Sequence, residues 1–252
     1  MEKSAHAAAA TRAKPVPAAA APIRGVFVTG TDTEIGKTLV SCALIHRLRS
    51  FGLCVAAMKP VATGNVAEAE DALALRAASG LEAPLKRINS FLYEPAIAPH
   101  IAATRAHRRI DLRRIARDYE RLAESADFVV VEGVGGWMVP LGQRLMLADV
   151  PRRLGLPVIL VVGLRLGCLN HALLTARAIV DDGLILAGWI GNCVEDPMLA
   201  QTENIDTLKQ RLPAPCLGIV PPLAKPADPR LASGHLRAAN LRRALALGTE
   251  AR

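Results

Sequence analysis

Short apolar runs alternate along the chain with longer stretches in which apolar residues recur at helical spacing. The apolar runs, rich in Val, Ile and Leu, cover residues 26–29, 54–58, 128–131, 158–162, 186–190 and 217–220. The helical patterns cover residues 39–48, 72–79, 112–126, 145–154, 170–182 and 199–212. Nearly continuous apolar runs are typical of parallel strands that are buried on both faces. The pattern therefore predicts an α/β fold, a doubly wound and mainly parallel sheet with helices on both faces and ligands at the carboxyl ends of the strands.

The length and composition suit a globular protein with a full hydrophobic core. The chain has 252 residues, of which 51% are hydrophobic and 21% charged. We interpret residues 1–22, rich in alanine and proline, as a disordered extension and residues 23–252 as a single domain. An organellar targeting peptide is the alternative for the extension, although it contains few serines. No apolar run approaches the length of a membrane span, so we expect no membrane association.

The net charge of +8 raises the question of nucleic-acid binding. The densest basic patch, residues 105–121, is interleaved with acidic residues and has apolar residues at helical spacing, which indicates a solvated amphipathic helix. Aromatic residues make up only 3% of the chain, and no nucleic-acid motif is present, so we expect no nucleic-acid partner. The five cysteines are widely spaced and odd in number, which favours a reducing cytoplasm.

A glycine loop follows the first predicted strand directly. It runs from Gly30 to Gly36 and continues into Lys37 and Thr38. In such a loop the backbone N–H groups surround an anion, the lysine neutralises the outer phosphates and the threonine hydroxyl can ligate magnesium. Five residues separate Gly30 from Gly36, one more than in the standard P-loop. The order of strand, loop and apolar helix favours a P-loop NTPase-like site over a glycine turn that merely caps a helix.

The loops after the next strands also carry distinctive residues. The second strand ends in Lys59-Pro60-Val61-Ala62-Thr63-Gly64, the third in Glu132-Gly133-Val134-Gly135-Gly136-Trp137, and the fourth is followed by Gly167-Cys168-Leu169-Asn170. Together with the phosphate loop, these segments resemble the dethiobiotin synthetase family in order from about residue 24 to about residue 223. The longer glycine spacing is that family's own form. Cys193 departs from the pattern of the family, in which an aspartate is found at this position.

The resemblance implies a function and its cofactors. The family is an ATP-dependent cyclo-ligase of biotin synthesis, which carboxylates 7,8-diaminopelargonic acid with CO2. The carbamate is phosphorylated by ATP, and the ureido ring of dethiobiotin then closes with release of ADP and phosphate. Because the carbamate and the phosphate are both anionic, catalysis needs positioning and charge neutralisation, for which Mg2+ and lysines are suited.

The resemblance also assigns site residues. Lys37 and Lys59 are the expected catalytic residues, and Thr38, Asp71 and Glu132 are the expected Mg2+ ligands. From the residues alone, Lys59 could be a solvated lysine at a strand end, Asp71 a helix N-cap and Glu132 a surface glutamate. The expected nucleotide-binding residues are Thr33, Glu34, Ile35, Gly36, Lys37, Thr38, Leu39, Asp71, Glu132, Gly133, Val134, Gly135, Asn192, Cys193, Pro221, Pro222, Leu223 and Asp228.

Substrate binding is expected at two places. By the resemblance, the Thr63 hydroxyl would contact the carbamate or amine region of the substrate, and Thr33, inside the phosphate loop, would reach substrate and phosphate oxygens. Cys168, Leu169 and Asn170 lie where a helix begins, and helix N-terminal N–H groups suit a carboxylate. In the family this helix end comes from the partner subunit, so the resemblance implies a homodimer with shared active sites.

Two other classes of protein share part of this pattern. A MinD or ParA-type ATPase, which acts on a protein partner, would have a lysine just after the first glycine of the loop, where this chain has Thr31 and Asp32. A basic C-terminal helix pattern around residues 236–245 could serve as a membrane tether in such a protein, or it could simply dock onto the domain. A glutamine-dependent amidoligase would need a further domain, for which the roughly thirty residues after Leu223 are too few.

Overall fold

The computed structural model describes residues 24–64, 69–194 and 198–247. The predicted extension over residues 1–22 lies outside the described residues. The division of the chain into that extension and one domain over 23–252 stays a prediction.

Six parallel strands form the main sheet, in the order β2-β5-β1-β6-β7-β8. A second sheet pairs β3 with β4, also in parallel. The strands are β1 Gly25–Gly30, β2 Val55–Met58, β3 Val61–Thr63, β4 Phe91–Tyr93, β5 Phe128–Glu132, β6 Val158–Gly163, β7 Leu186–Asn192 and β8 Cys216–Val220. The main sheet confirms the predicted α/β fold class, with strands within two residues of each predicted bound.

The helices lie on both faces of the main sheet. They are α1 Lys37–Arg49, α2 Glu70–Ser79, α3 Leu85–Ile88, α4 Pro99–Arg105, α5 Leu112–Ala123, α6 Asp149–Leu154, α7 Cys168–Asp181, α8 Gln201–Arg211, α9 Pro229–Gly234 and α10 Ala238–Ala244. Successive residues of a strand point to opposite faces, so Val26 and Val28 belong to the hydrophobic cluster that contains α1, while Phe27 belongs to the other cluster, where its ring meets that of Trp137. Both faces are therefore buried, which explains why the strands are apolar throughout.

The strand order brings the candidate loops to one edge. β1 lies between β5 and β6, and Val28 pairs with Glu132 while Met58 pairs with Val131. All these strands are parallel, so the loops that follow β1, β2, β5 and β6 leave the sheet at the same edge. Ligand sites of open α/β sheets lie at this edge.

Two predicted helices differ from those in the structure. The pattern at 145–154 begins as a helix only at Asp149, because Met146 forms an antiparallel bridge with Pro140. The basic patch over 105–121 is not one helix: α4 ends at Arg105, His107 adopts a φ of 47°, and α5 begins at Leu112, where Asp111 accepts a hydrogen bond from Arg113 N as its N-cap. Within α5 the apolar face is buried at Ile115 and Leu122, as the helical spacing predicts.

The C-terminal pattern docks onto the domain. Leu236, Leu241 and Leu245 are almost completely buried in the cluster that covers one face of the sheet. Their burial favours the docking interpretation over a membrane tether. In the described parts of the chain, no helix is both long and apolar enough to cross a membrane. The five cysteines are all free thiols.

Candidate active site

The phosphate loop connects β1 to α1 and is held to the end of β7. Glu34 has a φ of 56° and Gly36 a φ of 78°, both in the left-handed region. The Asn192 side-chain amide donates to the Ile35 carbonyl at 2.9 Å, and a Cβ atom on Gly36 would collide with that amide nitrogen. The structure thus brings together Ile35, Gly36 and Asn192, which the sequence assigns to one nucleotide site.

Lys37 is buried beneath this loop. Its Nζ donates to the carbonyl oxygen of Asp32 at 2.5 Å. Burial, followed by the neighbouring Lys59 ammonium, lowers the pKa of Lys37 to about 8. An anion bound at the loop would stabilise the Lys37 ammonium and raise its pKa again. This is the electrostatic behaviour expected of a phosphate-binding lysine.

Lys59 directly follows β2 and lies between two carboxylates, those of Glu132 at the end of β5 and Asp71 in α2. Its Nζ is 2.6 Å from Glu132 Oε1 and 2.7 Å from Asp71 Oδ2, and the Lys59 and Glu132 side chains are 4% and 0% exposed. Burial alone would lower the pKa of Lys59, but the two carboxylates outweigh it, so the pKa is raised. Lys59 is therefore a buried, charged group, and the alternative of a solvated lysine is ruled out, as is that of a surface glutamate at Glu132.

The Thr38 hydroxyl joins the same cluster. Its Oγ1 lies 2.8 Å from Asp71 Oδ1 and 2.9 Å from Glu132 Oε1. One hydroxyl proton can serve only one of these oxygens at a time. Glu132 Oε2 is buried and lacks a hydrogen-bond partner within the described residues. Three oxygen-bearing side chains and an unpartnered carboxylate oxygen fit a hard cation such as Mg2+.

Asp71 belongs to this cluster and does not cap its helix. It is the second residue of α2, whose N-cap position is Ala69, and that position has no side-chain cap. Burial would raise the pKa of Asp71, but Lys59 and the Thr38 hydroxyl hold it below its usual range. The helix-cap alternative for Asp71 is therefore wrong.

A small cavity opens beside this cluster. Its volume is about 200 Å3, and Thr63, Gly64, Asp71 and Asn89 are among its lining residues. Thr63 ends β3, so the small sheet of β3 and β4 places it in the wall of this cavity, together with Asp71. Asn89 is not among the site residues that the sequence predicts. Its Nδ2 donates to the Lys59 carbonyl at 2.6 Å and so fixes the backbone there. A buried amide in a loop gives no sequence signal of this role.

A second cavity, of about 630 Å3, lies on the other side of the phosphate loop. It is lined by eight of the residues predicted to bind nucleotide and by three that were not predicted. The predicted ones are Glu34, Gly36, Leu39, Asn192, Cys193, Pro221, Pro222 and Leu223; the others are Val194, Lys225 and Ala227. Asp228 follows this wall, and its carboxylate caps α9 by accepting from Arg230 N at 2.8 Å.

The glycine loop after β5 packs against the phosphate loop. A Cβ atom on Gly133 would lie 2.9 Å from Phe27, and one on Gly135, where φ is 63°, would lie 3.7 Å from the Thr33 side chain. Glycine is favoured at position 133 by the close approach of Phe27 and at position 135 by the left-handed backbone. This explains the glycines of the sequence motif in terms of backbone packing.

The turn before α7 presents a helix N-terminus. Gly167 is its N-cap residue with a φ of 94°, and the Cys168 N–H donates to the Arg165 carbonyl at 3.0 Å. The Cys168 side chain is buried, and burial raises its thiol pKa, whereas Asn170 is exposed. The first N–H groups of a helix have no intrahelical acceptor, so the Leu169 and Asn170 amides are suited to an anion.

The parallel sheet and the phosphate loop define a P-loop nucleotide-binding protein. The MinD cell division protein of Aquifex aeolicus has the same fold, with a TM-score of 0.55 at 15% identity over 91% of this chain and all of that chain. A family model described as an AAA domain matches residues 24–230.

Closer relatives show the family. An ATP-dependent dethiobiotin synthetase of Pseudomonas paraeruginosa is 53% identical over 216 residues, which cover 83% of this chain and 94% of that protein. One of Aromatoleum aromaticum is 51% identical over 219 residues, covering 85% and 97%. The chain therefore belongs to the family of ATP-dependent dethiobiotin synthetases, which are cyclo-ligases. This confirms the resemblance that the loop motifs indicate.

Proposed function

We propose that the protein converts 7,8-diaminopelargonic acid, CO2 and ATP into dethiobiotin, ADP and phosphate by way of a phosphorylated carbamate. In the first step of this reaction, one substrate amine attacks CO2 and loses a proton, giving a carbamate. A carbamate oxygen attacks the γ-phosphorus and ADP leaves. The second amine then attacks the carbamoyl carbon, loses its proton and expels phosphate, which closes the ureido ring.

The observation that carries this proposal is the buried Lys59 ammonium beside the phosphate loop. A lysine has three N–H donors, and among the described residues Glu132 and Asp71 accept from two of them. The remaining donor would stabilise the charge on the carbamate or on the transferred phosphoryl group. Lys37, held at the base of the loop, would neutralise the nucleotide phosphates. Charge neutralisation of this kind supplies most of the catalysis in phosphoryl transfer.

Thr38, Asp71 and Glu132 would hold Mg2+. When bound there, the ion would neutralise charge on the phosphate oxygens and so assist attack by an anionic carbamate. The buried Glu132 Oε2, which accepts from no donor among the described residues, offers a free oxygen for such a cation.

The large cavity beside the phosphate loop suits the nucleoside of ATP. The Asn192 Nδ2 donates to Ile35, which leaves its amide oxygen to accept from an adenine amino group. Pro221, Pro222 and Leu223 would provide an apolar wall for the base. Lys225 adds a cation to this cavity and would interact with an anionic part of the nucleotide.

The substrate carboxylate would bind at the α7 turn of a second subunit. The phosphate loop of a chain already serves the anionic nucleotide, and the Leu169 and Asn170 amides offer a separate anion site. A twofold axis then generates two composite sites from one interface, which makes the active form a homodimer.

Product analysis by mass spectrometry tests the proposed reaction directly. Incubation with diaminopelargonic acid, bicarbonate, Mg2+ and ATP should yield dethiobiotin, ADP and phosphate in equal amounts. Bicarbonate labelled with carbon-13 should place the label in the ureido carbon. Release of ADP at the same rate with and without the diamine would instead indicate an ATPase without ligase activity.

A further inference from the structure

An ion pair connects the phosphate loop to the turn before α7. Arg165 Nη2 lies 2.6 Å from Asp32 Oδ2, with the two side chains 36% and 43% exposed. Asp32 stands in the loop after β1, and Arg165 in the loop after β6. Neither residue belongs to the catalytic or ligand-binding set described above.

Asp32 organises the entrance of the phosphate loop. Its Oδ1 accepts from the Thr33 backbone N–H at 2.8 Å, and its carbonyl oxygen accepts from Lys37 Nζ. A shift of Asp32 would therefore move both the Thr33 amide and the acceptor that holds Lys37.

Arg165 organises the turn before α7 in a similar way. Its carbonyl oxygen accepts from the Cys168 N–H, which closes the turn at Gly167. Its neighbour Leu164 is buried and donates from its N–H to the Asn192 carbonyl at 2.8 Å. The guanidinium therefore extends from a fixed backbone, and its position is coupled to that of the first turn of α7.

Other contacts hold the phosphate loop to β6 itself but do not reach the turn. Thr31 N donates to the Val161 carbonyl at 3.0 Å, and Gly163 N donates to Thr31 Oγ1 at 3.4 Å. Both contacts end at the last residues of the strand. The Asp32–Arg165 pair is a side-chain contact that extends the connection to the turn.

We propose that Arg165 is a positioning residue, which couples nucleotide binding at the phosphate loop to substrate-carboxylate binding at the α7 turn. The inference rests on the proposed function. Nucleotide that orders the phosphate loop also orders Asp32, and Asp32 in turn orders Arg165 and the turn. In a dimer with shared sites, the turn serves the neighbouring active site, so the pair connects the two sites. By thermodynamic linkage the effect is reciprocal, and substrate strengthens nucleotide binding by the same factor.

Isothermal titration calorimetry measures this coupling without turnover. Diaminopelargonic acid is titrated into the full-length protein with and without Mg2+ and a non-hydrolysable ATP analogue. In the wild type the analogue should strengthen diamine binding by about fivefold or more. Arg165→Gln should reduce this factor by about threefold to fivefold, which corresponds to the interaction energy of a partly exposed ion pair. The affinity for the diamine alone should change little. Arg165→Lys, which keeps the charge, should retain most of the coupling.

Arg177→Gln is the matched control, because it removes an arginine from an exposed ion pair with Asp181 on α7 itself. It should leave the coupling unchanged. Asp32→Asn should reproduce the loss, and the double variant Asp32→Asn with Arg165→Gln should be no worse than either single variant. If Arg165→Gln does not fold, the Asp32→Asn and Arg165→Lys variants decide the question.

The possible failures are distinguishable. A wild type that binds no diaminopelargonic acid would contradict the proposed function itself. A wild type that binds it equally well with and without the analogue, or coupling that survives in Arg165→Gln and Asp32→Asn, would overturn the coupling while leaving the proposed function intact.

Discussion

The Lys59 ammonium lies 2.6 Å from the Glu132 carboxylate although the two residues are separated by 73 positions in the sequence. Both side chains are shielded from water, so each neutralises a charge that would otherwise be buried alone. Removal of one partner of a buried ion pair is strongly destabilising, whereas replacement of both can be neutral. The pair thus has a structural role in addition to the catalytic role proposed for Lys59, which changes what a mutation at Lys59 should do.

We predict that Lys59→Met lowers turnover by on the order of a hundredfold or more, since a preorganised charge at the reacting groups is lost. It should also lower the free energy of unfolding by about 3–5 kcal/mol, because the buried Glu132 carboxylate loses its partner. Chemical denaturation should find the double variant Lys59→Met with Glu132→Gln more stable than Lys59→Met yet still inactive. Lys209→Met, which breaks an exposed pair with Asp206, is the control and should change stability by less than about 0.5 kcal/mol. Near-normal turnover of Lys59→Met would remove its catalytic role.

Nucleotide affinity should depend on pH through Lys37. The pKa of Lys37 in the nucleotide-free protein is about 8, lowered by burial and by Lys59, and bound phosphates should raise it. Between pH 8 and 10 the free protein has lost this proton and the complex keeps it, so binding takes up to about one proton and weakens by up to about tenfold per pH unit. Below about pH 7 both forms are protonated and the uptake should vanish. Calorimetry of ADP binding at pH 9 in two buffers of different ionisation enthalpy measures the uptake. Lys37→Met should abolish it, and an unchanged uptake in that variant would assign the proton to another group.

Metal binding should depend on the two carboxylates of the cluster. Asp71→Asn and Glu132→Gln should each raise the Mn2+ concentration needed to saturate the nucleotide-loaded protein by about tenfold or more, because neutral amides bind hard cations less well than carboxylates do. Electron paramagnetic resonance of free Mn2+ gives this value independently of activity. Asp206→Asn, at an exposed site, is the control. An unchanged Mn2+ titration in Asp71→Asn would exclude that residue from the metal site.

Alanine substitutions at two glycine positions distinguish the effect of backbone strain from that of the contact with Asn192. Gly36 and Gly52 have φ values of 78° and 85°, but a Cβ atom meets the Asn192 amide only at Gly36, and at Gly52 nothing lies within 4 Å. Alanine in either position should cost about 1 kcal/mol or more of stability, because both are left-handed. Only Gly36→Ala should displace Asn192 from Ile35 and weaken ADP binding, which calorimetry measures. Equal ADP affinity in the two variants would show that the Asn192 contact does not shape the nucleotide site.

The shared-site dimer is tested by mixing two inactive variants. Lys37→Ala removes the phosphate-loop charge, and Asn170→Asp places a repelling charge at the α7 turn, so each homodimer should be nearly inactive. In a heterodimer one of the two sites has both halves intact, so about half of the wild-type activity is the upper limit. Native mass spectrometry should confirm that heterodimers form. No recovery of activity in confirmed heterodimers would place the whole site within one chain.

The sequence by itself determined the main sheet and the phosphate loop. Continuous apolar runs and a glycine loop are local signals, because burial on both faces and left-handed backbone conformations restrict which residues can stand at each position. The family motifs identify most residues of the wall of the large cavity, although not Val194, Lys225 and Ala227. The sequence did not predict the strands β3 and β4, three residues each, which are too short for a clear pattern.

Only the tertiary structure decided which polar residues act together. Asp71 has the sequence features of a helix cap, and Lys59 those of an exposed strand end. Lys59 is brought to Glu132 by the parallel packing of β2 and β5, and Asp71 is brought to Lys59 by the position of α2. Because these groups are shielded from water, the charge of each depends on that of the others. The same is true of Asp32 and Arg165, which are 133 positions apart. Electrostatic pairing depends on distance in space, and no local pattern records distances between segments that meet only in the folded protein.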